Sequence, residues 1–77
     1  MPRYFFHLHN DVETHDEEGR DLADIDAARR AAEEDARHMA AESVRGGCLP
    51  LGHFVEVADE DGQSLFRVTF GEVVKIG

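Results

Sequence analysis

The sequence predicts a single α+β domain in which one helix packs on one face of a small, mainly antiparallel sheet. Three observations lead to this prediction. Apolar residues recur at helical spacing in one central stretch, they alternate with polar residues before and after it, and short turn sequences separate the alternating segments. The predicted order along the chain is strand, strand, helix, strand, strand, with residues 1–77 forming one domain.

The central stretch predicts a helix from Asp24 to Gly46, and we expect no other helix. Asp24 suits the N-cap, because its carboxylate can accept a hydrogen bond from the first turn. Gly46 and Gly47 end the helix, since glycine adopts left-handed backbone angles without a steric penalty. The apolar face is narrow and mostly alanine, which suits close packing on a sheet. It consists of Ile25, Ala28, Ala32, Ala36, Met39 and Ser43.

The segment before the helix predicts two strands. Residues 2–9 are dense in aromatic and apolar side chains without helical spacing, as is typical of a strand. Asn10 and Asp11 suit a tight turn, because their side chains bond to their own main chain. Residues 12–15 then form a short second strand that pairs back on the first, and its polar composition indicates an edge.

The segment after the helix predicts a hairpin. Residues 54–58 and 65–70 alternate, and the turn between them contains Gly62, where a hairpin loop needs a positive φ. The first strand is the most apolar, so we expect it at the centre of the sheet. A parallel pairing of the first and last strands remains an alternative. Residues 73–76 are expected either to extend the sheet or to cover its end.

These elements define a predicted core between the helix and one sheet face. Its members come from the alanine face of the helix and from alternate positions of the strands. The predicted buried set is Tyr4, Phe6, Leu8, Leu22, Ile25, Ala28, Ala32, Ala36, Met39, Val55, Val57, Phe66, Val68 and Phe70.

The composition is strongly acidic. Eight lysine and arginine residues against 17 aspartate and glutamate residues give a net charge of −9. Such a chain repels nucleic-acid phosphates and anionic membrane surfaces, so we expect neither direct nucleic-acid binding nor membrane binding. The single cysteine, Cys48, cannot form an internal disulfide, and no basic and apolar leader precedes the first strand. Both features lead us to expect a cytoplasmic protein.

The sheet face away from the helix is the predicted interaction surface. One helix covers only one face, yet three apolar residues are predicted on the other, each worth about 1.5–3 kcal/mol when buried. We therefore expect a homodimer, or docking on a protein partner, through this face. The competing expectation is that residues 73–76 fold over it. The predicted surface consists of Phe5, His7, His9, Phe54, Glu56, Leu65 and Arg67.

Metal binding is an alternative function. His7 and His9 lie two residues apart on a strand, so both rings leave the same sheet face and could share one ion, with His15 or an acid of the second strand as third ligand. Metal sites of high affinity usually have three or four protein ligands, and the sequence offers no further histidine or cysteine at a suitable spacing. A half-exposed sheet face without a metal is the favoured interpretation, and we expect no cofactor.

The sequence contains no residue set arranged for catalysis. Cys48 with His53 could form a nucleophile and base, but cysteine catalysis also needs an oxyanion site, which a chain of this length has little room to build. The acidic residues of 11–21 lack the ligand order of a calcium loop and are interpreted as a solvated rim. We therefore expect a protein that is not an enzyme and has no catalytic residues.

Four motifs carry a resemblance to a known family. They are Pro2-Arg3-Tyr4-Phe5-Phe6-His7, Asp16-Glu17-Glu18-Gly19, Asp24-Ile25-Asp26-Ala27-Ala28-Arg29 and Asp59-Glu60-Asp61-Gly62. Together they resemble a family of very short bacterial proteins that forms a domain of unknown function, and the resemblance covers nearly the whole chain. The family implies no activity. In outline the layout is also similar to antitoxins of the HicB type, in which a small sheet carries one helix.

The predicted function is that of a small acidic, non-catalytic protein-binding or regulatory module that acts through its exposed sheet face. An antitoxin-like or nucleic-acid-mimicking protein that covers a basic surface on a partner is the first alternative. A metal-binding protein that uses His7 and His9 is the second.

Overall fold

The computed structural model describes residues 2–10 and 12–74. Within them it places a sheet, one long helix and one short helix. In chain order the elements are β1 (Arg3–His9), β2 (Glu13–Thr14), β3 (Arg20–Asp21), α1 (Ile25–Arg45), β4 (Phe54–Ala58), β5 (Ser64–Thr69) and α2 (Phe70–Val73).

The five strands form one antiparallel sheet, which confirms the predicted α+β class. Its order is β2-β1-β4-β5, and β3 also pairs with β1. The prediction that the first strand is central is confirmed, because β1 pairs with β4 on one side and with β2 and β3 on the other. The alternative of a parallel pairing between the first and last strands is wrong. Both β1 and β5 flank β4, and both are antiparallel to it.

Helix α1 has the predicted ends. The Asp24 carboxylate accepts a hydrogen bond of 2.8 Å from the amide of Ala27, and Gly46 is the C-cap residue. The left-handed conformation belongs to the next residue, Gly47, with a φ of 93°. One stripe of alanines faces the sheet, so the backbone of α1 lies close to the strands. These fully buried residues are Ala28, Ala32, Ala36 and Ala40.

The predicted core is confirmed for most of its members, four of which are only half-buried, and it is wrong for Ile25. Ile25 was expected to be buried but is 49% exposed; it is the first residue of α1, and the buried stripe of the helix begins at Ala28. Ala40 and Ala58 are buried although they were not in the predicted set. Nine predicted members are buried, namely Tyr4, Phe6, Ala28, Ala32, Ala36, Val55, Val57, Val68 and Phe70, while Leu8, Leu22, Met39 and Phe66 are half-buried against them.

The expectation of a single helix is wrong. At Phe70 the chain leaves the sheet and forms α2, a single turn stabilised by a capping box. In it the Thr69 hydroxyl accepts from the Glu72 amide at 3.2 Å, and the Glu72 carboxylate accepts from the Thr69 amide at 3.2 Å. Val73 and Val74 pack against the core, so this segment covers the end of the sheet rather than extending it. Ile76 lies outside the described residues.

Strand β3 was not predicted. Gly19 adopts a φ of 74°, which turns the chain back so that Arg20 and Asp21 pair with Tyr4 and Arg3. The predicted second strand is confirmed as β2. Of the predicted turn before it, Asn10 accepts a hydrogen bond of 2.9 Å from the Val12 amide, and Asp11 lies outside the described residues. The hairpin glycine is confirmed, since Gly62 has a φ of 83°.

Candidate interaction surface

The sheet face away from α1, called here the outer face, carries most of the predicted interaction surface. The antiparallel register aligns side chains of β1, β4 and β5 in rows across it. One row contains His7, Glu56 and Arg67. A second contains His9, Phe54 and Thr69, and a third contains Phe5, Ala58 and Ser64.

Leu65 does not follow this alternation. Val57 lies opposite Phe66, but the next residue, Ala58, lies opposite Ser64, so Leu65 is an extra residue in β5. Such a β-bulge breaks the alternation of sides along the strand. Leu65 is 37% exposed. Because the bulge breaks the alternation at this point, its place on the outer face stays a prediction.

His9 bridges three strands. Its Nδ1 lies 3.2 Å from a carboxylate oxygen of Glu13 on β2, and its Nε2 lies 2.9 Å from a carboxylate oxygen of Glu56 on β4. The hydrogen bond from His9, with a second from Ser64, outweighs the effect of burial and lowers the pKa of Glu56 below its ordinary value. Glu56 is therefore held ionised at the centre of the outer face.

Phe54 is covered by polar side chains from both neighbouring strands. The His9 ring stacks on it with centroids 4.6 Å apart, and the guanidinium of Arg67 lies 5.0 Å from its centroid. Phe54 is consequently half-buried within the chain. The outer face thus combines aromatic and charged groups and is less apolar than the alternation pattern predicted.

His7 has partners separate from those of His9. Its ring stacks on the His15 ring with centroids 4.2 Å apart and an interplanar angle of 13°, and its Nδ1 accepts a hydrogen bond of 3.0 Å from the Asp16 amide. The nitrogen lone pairs of nearly parallel rings lie in parallel planes and do not converge on one point. The two rings are therefore poorly arranged to share a metal ion. Within 2–10 and 12–74, no group of three or more histidine, cysteine, aspartate or glutamate residues could hold an ion.

Asp16 closes the free edge of β1 between β2 and β3. Its carboxylate accepts hydrogen bonds from the amides of Phe6 at 3.1 Å, Glu18 at 3.1 Å and Gly19 at 3.2 Å. Burial alone would raise the pKa of Asp16, but these three donors outweigh it and lower the pKa below its ordinary value. This role of Asp16 was not predicted from the sequence. The signal for it was an aspartate three residues before a glycine, which is typical of a turn closed by a side chain.

A shallow depression of about 180 Å³ lies at one end of the outer face. Its lining includes Phe5, His7, Asp16, Asp59 and Glu60, so two acidic turns flank it. Gly19 also lies near this end, since a side-chain carbon added there would come within 3.1 Å of the Phe5 ring. The 15–19 segment therefore covers part of the outer face that the alternation pattern predicted to be exposed.

Cys48 and His53 line one depression of about 310 Å³ together with Asn10, Ser43 and Pro50. The fold thus places Cys48 and His53, the two residues of the disfavoured nucleophile hypothesis, in the lining of the same depression. The Cys48 thiol is exposed, and the His53 ring contacts Phe70 edge to face at a centroid distance of 5.8 Å. In the described part of the chain, neither helix has the length and apolarity required to cross a bilayer.

Comparison with known proteins identifies a family without an assigned function. No curated protein and no solved structure matches the chain at a significant level. A family model matches residues 3–71, a range that includes every strand and α1. The chain therefore belongs to the family described as "Domain of unknown function (DUF6894)".

Proposed function

We propose that the chain is a small acidic, non-catalytic protein-binding or regulatory module that acts through the outer face, by pairing with a second copy or by docking on another protein. One observation carries the proposal: α1 packs on one face of the sheet, while the other presents aromatic rings that the chain itself covers only in part. An exposed free thiol at Cys48 suits the reducing cytoplasm, which we propose as the location.

The chemistry of the outer face suits a protein partner. Phe54 with Arg67 combines an aromatic ring and a guanidinium, residue types that are enriched in protein interfaces relative to the rest of the surface. Glu56 and His9 add hydrogen-bonding groups with fixed orientation around this pair. A face with one small aromatic centre suits a modest, reversible interface rather than a permanent one.

Affinity capture with matched variants tests the proposal. The immobilised wild-type chain should retain its own free copy or another protein, and Phe54→Glu should lose that binding, because a carboxylate replaces the ring between His9 and Arg67. Glu34→Gln changes an exposed residue of α1 and should bind like the wild type. Equal capture by all three chains, each folded by circular dichroism, would contradict the proposal.

A second candidate is an acidic protein that covers a basic surface, as an antitoxin or a nucleic-acid mimic does. The two acidic turns that flank the 180 Å³ depression favour it, because they place Asp16, Asp59 and Glu60 around one end of the outer face. Binding of this kind falls steeply with salt. A captured partner that elutes as salt rises, and that Glu60→Gln weakens, would support this candidate over the first.

A further inference from the structure

We infer that His7 is a pH-dependent latch: its neutral ring holds the 15–19 segment on the outer face, and protonation releases the Asp16 amide from it. This inference concerns regulation of the proposed binding face and rests on the proposed function for its biological meaning. The hydrogen bond between the Asp16 amide and His7 is a property of the free chain and can be measured without a partner.

The latch follows from the hydrogen bond that His7 accepts. The Asp16 amide donates to Nδ1 over 3.0 Å, so the neutral ring carries its proton on Nε2. A protonated imidazole has a hydrogen on both nitrogens and accepts nothing. Protonation therefore removes the acceptor and sets two N–H groups against each other.

The neighbouring carboxylates attract a protonated His7 ring but do not restore its bond to the Asp16 amide, and each already accepts a hydrogen bond from another donor. Asp16 accepts from three backbone amides, Glu56 from His9, Asp59 from the amides of Asp61 and Gln63, and Glu60 from the Arg3 amide. A protonated His7 ring can donate to a lone pair that remains on one of these carboxylates, but its Nδ1 then carries a hydrogen and no longer accepts from the Asp16 amide. The titratable and charged groups that face it are His15 and Asp16 from the 15–19 segment, Glu56 from β4, Asp59 and Glu60 from the next turn, and Arg67 beyond Glu56 on β5.

The stacked partner adds to the effect. His15 lies face to face with His7 at 4.2 Å and belongs to the segment that the latch holds. Protonation of both rings places like charges on the two sides of the stack. The 15–19 segment then stays attached through the Asp16 carboxylate and the Phe6 amide, so acidification loosens the segment without unfolding the domain.

Amide hydrogen exchange by NMR on the free chain tests the latch. Between about pH 7.5 and about pH 5.5, the wild-type Asp16 amide should lose protection by roughly two- to tenfold, the loss expected for one hydrogen bond. Rates are corrected for intrinsic exchange and compared with the Ala36 amide in α1. His7→Asn keeps an acceptor oxygen that does not titrate, and its Asp16 amide should stay equally protected at both pH values.

A second NMR measurement needs no variant. The long-range nitrogen spectrum of the wild type at about pH 7.5 should show the Nδ1 of His7 without a proton, as a ring that accepts there requires. A protonated Nδ1, or an Asp16 amide equally protected at both pH values, would overturn the latch. Neither result bears on capture by the outer face, and a failed capture with a working latch would reject the proposed function alone.

Discussion

Enlarging Ala32 tests the contact between helix and sheet. Its side chain is 0% exposed, and Ala28 and Ala36 one turn away are also 0% exposed, so no room exists for a longer side chain. Ala32→Leu adds three carbon atoms at this contact and should destabilise the fold by about 1–3 kcal/mol through overpacking. The whole domain is expected to be stable by only about 4–12 kcal/mol at its length, so the effect is a large fraction of the total.

Thermal unfolding followed by circular dichroism measures this effect. For a domain of this size a change of 1–3 kcal/mol lowers the melting temperature by about 4–24 °C. Ala41→Leu is the matched control, since Ala41 lies in the same helix but is exposed. Its melting temperature should stay within a few degrees of the wild type, because surface substitutions usually change stability by less than about 0.5 kcal/mol. Equal melting temperatures for Ala32→Leu and the wild type would refute the assigned helix face.

Two further predictions concern the outer face. The fold lowers the pKa of Asp16 from 3.8 and that of Glu56 from 4.5, so as pH falls these groups take up protons in the unfolded chain first. Their contribution to the free energy of unfolding is therefore complete above the unfolded-state pKa values and is lost as pH falls through the lower folded-state values. Denaturant unfolding across this range should show that decline, and the double variant Asp16→Asn with Glu56→Gln should flatten it; an unchanged slope would show that other groups cause it. Titration of zinc into the tag-free chain should give no stoichiometric binding tighter than micromolar, because Nδ1 of His7 and both nitrogens of His9 already have partners. A tight one-to-one isotherm abolished by His7→Ala with His9→Ala would revive the metal-binding alternative.

The main elements of the fold could be predicted because each has a long local signal. Twenty-one residues of α1 carry a continuous alanine stripe, and β4 and β5 alternate on both sides of a glycine turn. A strand of two residues such as β3 has no periodicity to detect. Helix α2 had a readable signal in the spacing of Thr69 and Glu72. The alternation of Phe66, Val68 and Phe70 extends to its first residue, however, and favoured a longer strand.

The candidate surface could be predicted only in part. Alternation places His7, His9, Phe54, Glu56 and Arg67 on one face, and the register of β1, β4 and β5 aligns them there. Their partners come from elements with weak local signals. Glu13 lies on a strand of two residues, His15 and Asp16 lie in a turn, and a single extra residue in β5 removes Leu65 from the pattern. The alternation of residues along the strands therefore predicts which side chains share the outer face. It does not predict which of them are covered by other parts of the chain.

An NMR footprint of binding tests most directly whether the outer face is the binding surface. The labelled chain is titrated with its own unlabelled copy, and with any captured protein, to about 1 mM, a concentration at which complexes with millimolar dissociation constants are partly formed. The proposal predicts that shifts concentrate at the amides of His9, Phe54, Glu56 and Arg67 and are lost in Phe54→Glu. Shifts confined to the exposed side of α1 around Glu34 and Arg37, or shifts that persist in Phe54→Glu, would contradict it.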